Sequence, residues 1–224
     1  MIPTLTQPRS ATLAASALIF VACGDATGPG DFDSRFSVTQ CSSSLFGTTV
    51  GNLSVRPGNS CALEEVTVQG NVVVSEGGTL MLIGGRVDGN VQAKRPDQFE
   101  VVGTRVGGNI QVEHGSSATI VDTDVSGDIQ VKKLAGPGDG VILVEANLVR
   151  EGNIQVDENR AGVLTIAGNT VAKGNLQVFK NSGGGEKQVS GNRVAQNLQC
   201  KDNASPFVAA ANIAGDREGQ CSQE

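Results

Sequence analysis

Between residues 70 and 200 the apolar positions recur two apart and do not fall into helical spacing. Ile110 and Val112 flank Gln111, Ala118 and Ile120 flank Thr119, and Val125 stands alone before the next turn. The same arrangement returns as Leu80, Leu82 and Val87, as Phe99, Val101 and Val106, and as Leu164, Ile166 and Val171. A period of two places such residues on one side of a strand. Each unit therefore predicts about three very short strands with their apolar sides turned the same way. A strand that short cannot bury its apolar side alone, but stacked on copies of itself it can.

The units are copies. Gly70-Asn71-Val72-Val73-Val74 is followed by Gly89-Asn90-Val91-Gln92-Ala93, Gly108-Asn109-Ile110-Gln111-Val112 and Gly127-Asp128-Ile129-Gln130-Val131. Gly152-Asn153-Ile154-Gln155-Val156, Gly174-Asn175-Leu176-Gln177-Val178 and Gln196-Asn197-Leu198-Gln199-Cys200 complete the series. The intervals are 19, 19, 19, 25, 22 and 22 residues, which gives seven units. Self-similarity at such a period marks a solenoid, and the missing Leu and Ala periodicity excludes leucine-rich and helical repeats. The expected fold is all-β: a right-handed parallel β-helix of about seven coils, three short strands per coil, the hand following the crossover preference. At about 4.8 Å per coil the rod is roughly 34 Å long.

Stacking turns sequence columns into ladders. Asn71, Asn90, Asn109, Asp128, Asn153, Asn175 and Asn197 form one column at a turn, where left-handed or bent backbone and coil-to-coil amide bonding are expected. Asn147, Asn169 and Asn192 begin a second. Gln92, Gln111, Gln130, Gln155, Gln177 and Gln199 lie between inward aliphatics, so they form a solvent-facing column and the candidate polar binding face. After each of these strands come Lys94-Arg95, Glu113-His114, Lys132-Lys133, Asp157-Glu158, Phe179-Lys180 and Lys201-Asp202. The alternating sign favours this register over a slip by one coil.

The ends differ from the middle. Residues 1–22 hold Arg9 and the apolar run Ala11–Ala22, too short to span a bilayer, and read as an export signal. Cys23 follows Phe20-Val21-Ala22 in a manner that resembles a bacterial lipoprotein processing site. Phe20 stands where Leu is usual, which leaves ordinary cleavage and free secretion as the alternative. The domain reading is signal peptide 1–22, flexible tether 23–40 and β-helix 41–222. The remaining cysteines, Cys41, Cys61, Cys200 and Cys221, cluster at the two ends, and in an exported chain that favours disulfides Cys41–Cys61 and Cys200–Cys221. Zinc is the rival, but His114 is the sole histidine and no C-x-x-C occurs.

Charge is modestly acidic, 17 basic against 23 acidic residues, and no basic tract argues for nucleic acid. Thirty glycines with no tryptophan or tyrosine suit a narrow aliphatic stack better than a globular core.

The tandem V-x-G-N-hydrophobic-Q-V units, the opening GNSCALEEVTVQGNVVVSEGGTL and the closing NLQCKDNASPFVAAANIAGDREGQC resemble a group of uncharacterised exported bacterial proteins over residues 50–222. That resemblance implies right-handed parallel β-helices of the broad pectin-lyase-like class and little about activity, since the group has no established catalytic role. A more distant likeness, in repeat rhythm alone, is to the bactofilins, which polymerise end to end. The export signal and the cysteines depart from that pattern.

Candidate chemistry is sparse. Polysaccharide hydrolysis needs clustered carboxylates, and the one tight acidic pair inside a coil is Asp122-Thr123-Asp124, with Thr104, Arg105, Asn147 and Leu148 at the same positions of adjacent coils. Asp157-Glu158 lies between Lys132-Lys133 and Lys180, which discourages a calcium nest. Glu113 and His114 are adjacent on a strand and point apart, so with Ser116 and Ser117 they do not predict a nucleophilic site. Gly183-Gly184-Gly185 lacks the Lys-Ser/Thr of a phosphate loop. Phe99 falls inward, Phe179 and Phe207 outward in different columns. No cofactor, metal or catalytic residue is expected. The expectation is a non-enzymatic, monomeric cell-envelope or secreted protein with a structural, adhesive or surface-binding role. It is held to the membrane by lipid on Cys23, with polysaccharide or another envelope component as its partner. The alternatives are a polysaccharide-acting lyase or hydrolase and an end-to-end assembling scaffold.

Overall fold

The computed structural model describes residues 37–136 and 140–223, and over them the chain is an all-β parallel β-solenoid. Each coil contributes one strand to each of three faces. The amide face holds strands such as Val91–Lys94, Ile110–Glu113 and Ile129–Lys132. The broad face holds the longer strands, such as Thr79–Ile83, Gln98–Val102 and Val141–Glu145, in a sheet of nine. The narrow face holds two-residue strands such as Arg105–Val106 and Asp124–Val125. Amide and narrow faces belong to one 17-stranded sheet, because Arg193–Lys201 and Ile213–Gly219 each run through the corner between them. The expected export signal, Cys23 and the tether up to residue 36 lie outside the described residues.

The coils number about nine, not seven. The first extra coil was legible: Gly51-Asn52-Leu53-Ser54-Val55 repeats the motif, and Asn52 Oδ1 accepts the Asn71 backbone N–H at 2.9 Å. The last departs from the pattern because it faces solvent on one side, so Gly215-Asp216-Arg217 replaces Gly-Asn-aliphatic. The first strand, Val38–Cys41, begins before residue 41 and pairs with Asn52–Val55.

Inward columns stack like on like. Val91, Ile110, Ile129, Ile154, Leu176 and Leu198 are in register and buried. Each such side chain contributes about 1.5–3 kcal/mol, so the stack stands without aromatic fillers beyond Phe99. Phe207 corrects an expectation: it pairs with Lys187 in an inward column and packs partly buried on the core. Lys187 stands 23 residues after its partner Leu164 and Phe207 only 20 after Lys187, an unequal interval that a fixed repeat count misassigns.

The corners explain the periods. Gly47, Glu65, Gly84, Gly103, Asp122, Ala146, Gly168, Gly191 and Ala211 all have φ between 51° and 65°, where the chain leaves the broad face. The charged column Arg95, His114, Lys133, Glu158, Lys180 and Asp202 has φ of 51–57° at the corner leaving the amide face. Left-handed backbone therefore falls in these two columns, not at Asn71 and its equivalents. At the third corner, glycine is required for close approach: a Cβ on Gly108 would lie 2.9 Å from Gly89 O.

Both disulfides form, Cys41–Cys61 with Cα atoms 5.5 Å apart and Cys200–Cys221 with 5.2 Å. Cys41 stacks on Val55 and Cys61 on Leu80, so the first bond crosses the core within the opening coils and does not precede them. Cys221 sits in a single 3-10 turn, Gln220–Ser222, folded against the last coil.

Candidate functional site

The sequence-derived polar columns come together on the amide face. Gln92, Gln111, Gln130, Gln155, Gln177 and Gln199 are in strict register. Gln92 Nε2 donates to Gln111 Oε1 at 3.2 Å, Gln111 to Gln130 at 3.4 Å, Gln155 to Gln177 at 3.1 Å and Gln177 to Gln199 at 2.9 Å. Gln199 ends the column by donating to Glu218 Oε2 at 2.9 Å. Between Gln130 and Gln155, Lys132 Nζ takes over and donates to Gln155 Oε1 at 2.8 Å. A glutamine amide has two donors and two acceptor lone pairs. The ladder engages one of each and leaves the others directed to solvent at about 4.8 Å repeats.

Beside it runs the first asparagine ladder. The backbone N–H of each residue donates to the Oδ1 one coil earlier: Asn90 to Asn71, Asn109 to Asn90, Asp128 to Asn109, Asn153 to Asp128, Asn175 to Asn153 and Asn197 to Asn175, at 2.7–3.0 Å. On the other flank Lys94, Glu113, Lys132 and Asp157 pair in register with alternating sign. In the adjoining column Glu158 lies 3.9 Å from Lys133 and 3.5 Å from Lys180.

Two further ladders are buried. Asn147, Asn169 and Asn192 continue to Asn212, each Oδ1 accepting from the coil before it. Asn159, Asn181 and Asn203 form a third, missed by sequence reasoning, that ends on Gln220 Oε1. Its signal was an Asn directly after Glu158, Lys180 and Asp202 at 22-residue spacing.

The acidic pair does not converge. Asp122 is the left-handed corner residue, Thr123 is buried, and Asp124 points out on the narrow face. Arg150 grips both Asp124 oxygens at 2.6 Å, and Arg105 stands 3.5 Å away. The Arg150 hydrogen bond chiefly, opposed by partial burial and aided by both guanidinium charges, holds the Asp124 carboxyl below the ordinary carboxylate range. A carboxylate so held is a fixed anion, poorly suited to donate a proton near neutrality. His114 is an exposed corner residue. The Gly183 and Gly185 carbonyls accept from Lys187 Nζ at 2.6 and 2.7 Å. Among the described residues no three His, Cys, Asp or Glu side chains converge as a metal ion requires.

Comparison of the chain with protein-family models, with curated proteins and with solved structures finds no match. What the fold and its columns define is therefore a class alone, the parallel β-solenoids, with disulfides consistent with an oxidising compartment.

Proposed function

We propose that this protein is a non-enzymatic, monomeric component of the bacterial cell envelope that presents its amide face to an extended polymer. The observation that carries the reading is the in-register glutamine ladder, a rigid row of solvent-directed amide groups at constant spacing. Rows of that kind match a repeating polar ligand without needing an enclosed pocket. The tandem repeat motifs support kinship with exported β-helices of the broad pectin-lyase-like class. Lipid on Cys23 would hold the solenoid at the membrane surface. Arg217 favours a monomer over end-to-end assembly: it takes the column position of the buried Leu198 on the last coil, where an exposed charge discourages a further strand.

The test is a glycan array run together with a reducing-sugar assay on the purified chain lacking residues 1–22. Binding without new reducing ends or unsaturated products, lost in Gln111→Ala/Gln130→Ala, is the expected result. Release of product overturns the non-enzymatic reading.

A further inference from the structure

The broad face carries a second surface that the amide-face reading does not use. Its strands turn Met81, Ile83, Val102, Val121, Leu143 and Val163 outward, in register across adjacent coils. Met81, Ile83 and Val163 are 38 %, 37 % and 44 % exposed. Thr79–Ile83 reads TLMLI and Val141–Glu145 reads VILVE, nearly continuous apolar runs. Parallel strands with that composition are ordinarily covered on both sides, whereas the amide-face strands alternate in the manner of IQVE. Ile83, Val102 and Val121 share one column, with Met81 beside it and Leu143, Val141 and Val163 on the next strands, and Thr119 and Thr165 between them, so the apolar part of the face is a cluster of a few hundred Å². That is the size at which exposed apolar patches mark interaction sites.

The charges on this surface select the partner. No Lys, Arg or His occupies an outward position of these strands, and the acids there are Glu64, Glu100 and Glu145. They fall on alternate strands, about 10 Å apart along the stack, with Glu64 and Glu145 in one column and Glu100 two residues to the side, and none has an ion-pair partner within 4 Å among the described residues. We infer that the broad face docks a basic amphipathic helix of a partner protein, with Lys or Arg at every seventh residue opposite these carboxylates. Seven helical residues rise about 10.5 Å on one side, close to the acidic spacing along the stack, and the long Lys or Arg stem reaches sideways to Glu100. An extended segment offers same-side steps of about 6.6 or 13 Å and misses it. A second copy packed face to face would meet these acids with a surface whose outward positions carry acids and no basic residue of their own. Anionic glycans and anionic lipids meet the same repulsion.

The experiment titrates the purified protein into a labelled 21-residue amphipathic helical peptide, leucine on one side and lysine at each seventh position, and reads fluorescence anisotropy. The probe is compared with the same peptide carrying glutamate in place of lysine. The lysine peptide is expected to bind at least about tenfold more tightly, with the preference shrinking at high salt. Glu100→Lys/Glu145→Lys, first shown to keep the native unfolding midpoint, should reverse the order. Gln111→Ala/Gln130→Ala, on the other face, should change nothing, so failure here is separable from failure of the glycan test. Equal binding of the two peptides, no binding of either, or an unreversed preference in the double variant overturns the inference. So does a concentration-dependent dimer in sedimentation that Leu143→Lys dissolves, because the occupant is then a second copy.

Discussion

The coils before residue 135 and those after it build the same corners from different chemistry. Behind the left-handed residue that leaves the broad face, the early coils place Val66, Gly85, Thr104 and Thr123, and the late coils place Asn147, Asn169, Asn192 and Asn212. At the corner leaving the amide face the early series is Pro96, Gly115 and Leu134, and the late series is Asn159, Asn181 and Asn203. The early solution hides little that is polar; Thr104 Oγ1, for one, returns to Gly84 O and Val102 O at 3.0 Å. The late solution buries amides and satisfies all of them. Asn169 Oδ1 accepts Asn147 N and Nδ2, and Asn169 Nδ2 donates to Val144 O and Asn192 Oδ1. A buried amide network of this kind specifies one register, and it fails sharply when a rung is lost.

The largest expected effect is that failure. Asn169→Ala orphans the Asn147 N–H and the Val144 carbonyl inside the stack and should cost about 3–5 kcal/mol. Asn109→Ala, in the half-exposed first ladder where water replaces the lost partner, should cost about 1 kcal/mol. Denaturant unfolding of both variants decides the matter. Equal losses would mean that burial does not distinguish the two kinds of ladder.

Next come the disulfides, each closing a separation of 20 or 21 residues and each contributing about 3 kcal/mol. Their losses should differ in kind. Cys221 adjoins Gln220, whose Oε1 accepts Asn203 N at 2.9 Å and Nδ2 at 3.0 Å. Cys200→Ser/Cys221→Ser should therefore speed hydrogen exchange at Asn203 and Asn181, while Cys41→Ser/Cys61→Ser leaves them protected. Uniform protection in both variants would show that the late ladder needs no cap.

These contrasts mark how far sequence reached. The parallel solenoid, its register, the first asparagine ladder and the glutamine column were legible because each repeats a residue type at a countable interval. Both disulfides were legible from clustering at the ends. The buried Asn159 column was not read, because an asparagine after Glu158 or Lys180 looks like any polar turn; its burial depends on the left-handed residue before it, which sequence marks only where glycine is used. The coil opening at Gly51-Asn52 keeps the motif and was open to the same count, whereas the last escaped because a coil with one neighbour keeps the geometry and drops the motif. The broad face escaped because its apolar outward residues share strands with inward ones, and period-two counting registers only one side.

Lys187 sharpens the same comparison inside the core. It occupies the column of Leu164, Ile142 and Ala118 and is 1 % exposed. The early coils fill that column with Leu80 and Phe99. Burial lowers the Lys187 ammonium below the ordinary lysine value, so between the two values the unfolded chain binds more protons than the folded one. The associated stability is complete above the ordinary value and is lost as pH falls through the depressed one. Lys187→Met removes the buried charge but also the donor to the half-exposed Gly183 and Gly185 carbonyls, so it should stabilise the protein by at most about 1 kcal/mol near neutrality and flatten the alkaline rise. Thermal unfolding from pH 7 to 11 measures both, and an unchanged slope would assign the pH dependence elsewhere.

The smallest expected effect tests the left-handed column itself. Ala146 has φ 53° and is exposed, while Gly168 and Gly191 hold the same place in the next two coils. An L-residue there costs about 1–2 kcal/mol relative to right-handed backbone, and glycine recovers part of that at the expense of chain entropy. Ala146→Gly should thus stabilise by about 0.5 kcal/mol or slightly more. Gly168→Ala should cost a similar amount through φ alone, since a Cβ there meets only the Ala146 nitrogen, 4.0 Å away. Opposite shifts of similar size in the unfolding midpoint would isolate backbone conformation from packing, because neither substitution gains or loses a close contact. Two losses would instead show that the alanine methyl at 146 covers the Asn147 ladder, and the late coils would then depend on their corners for shielding as well as for shape.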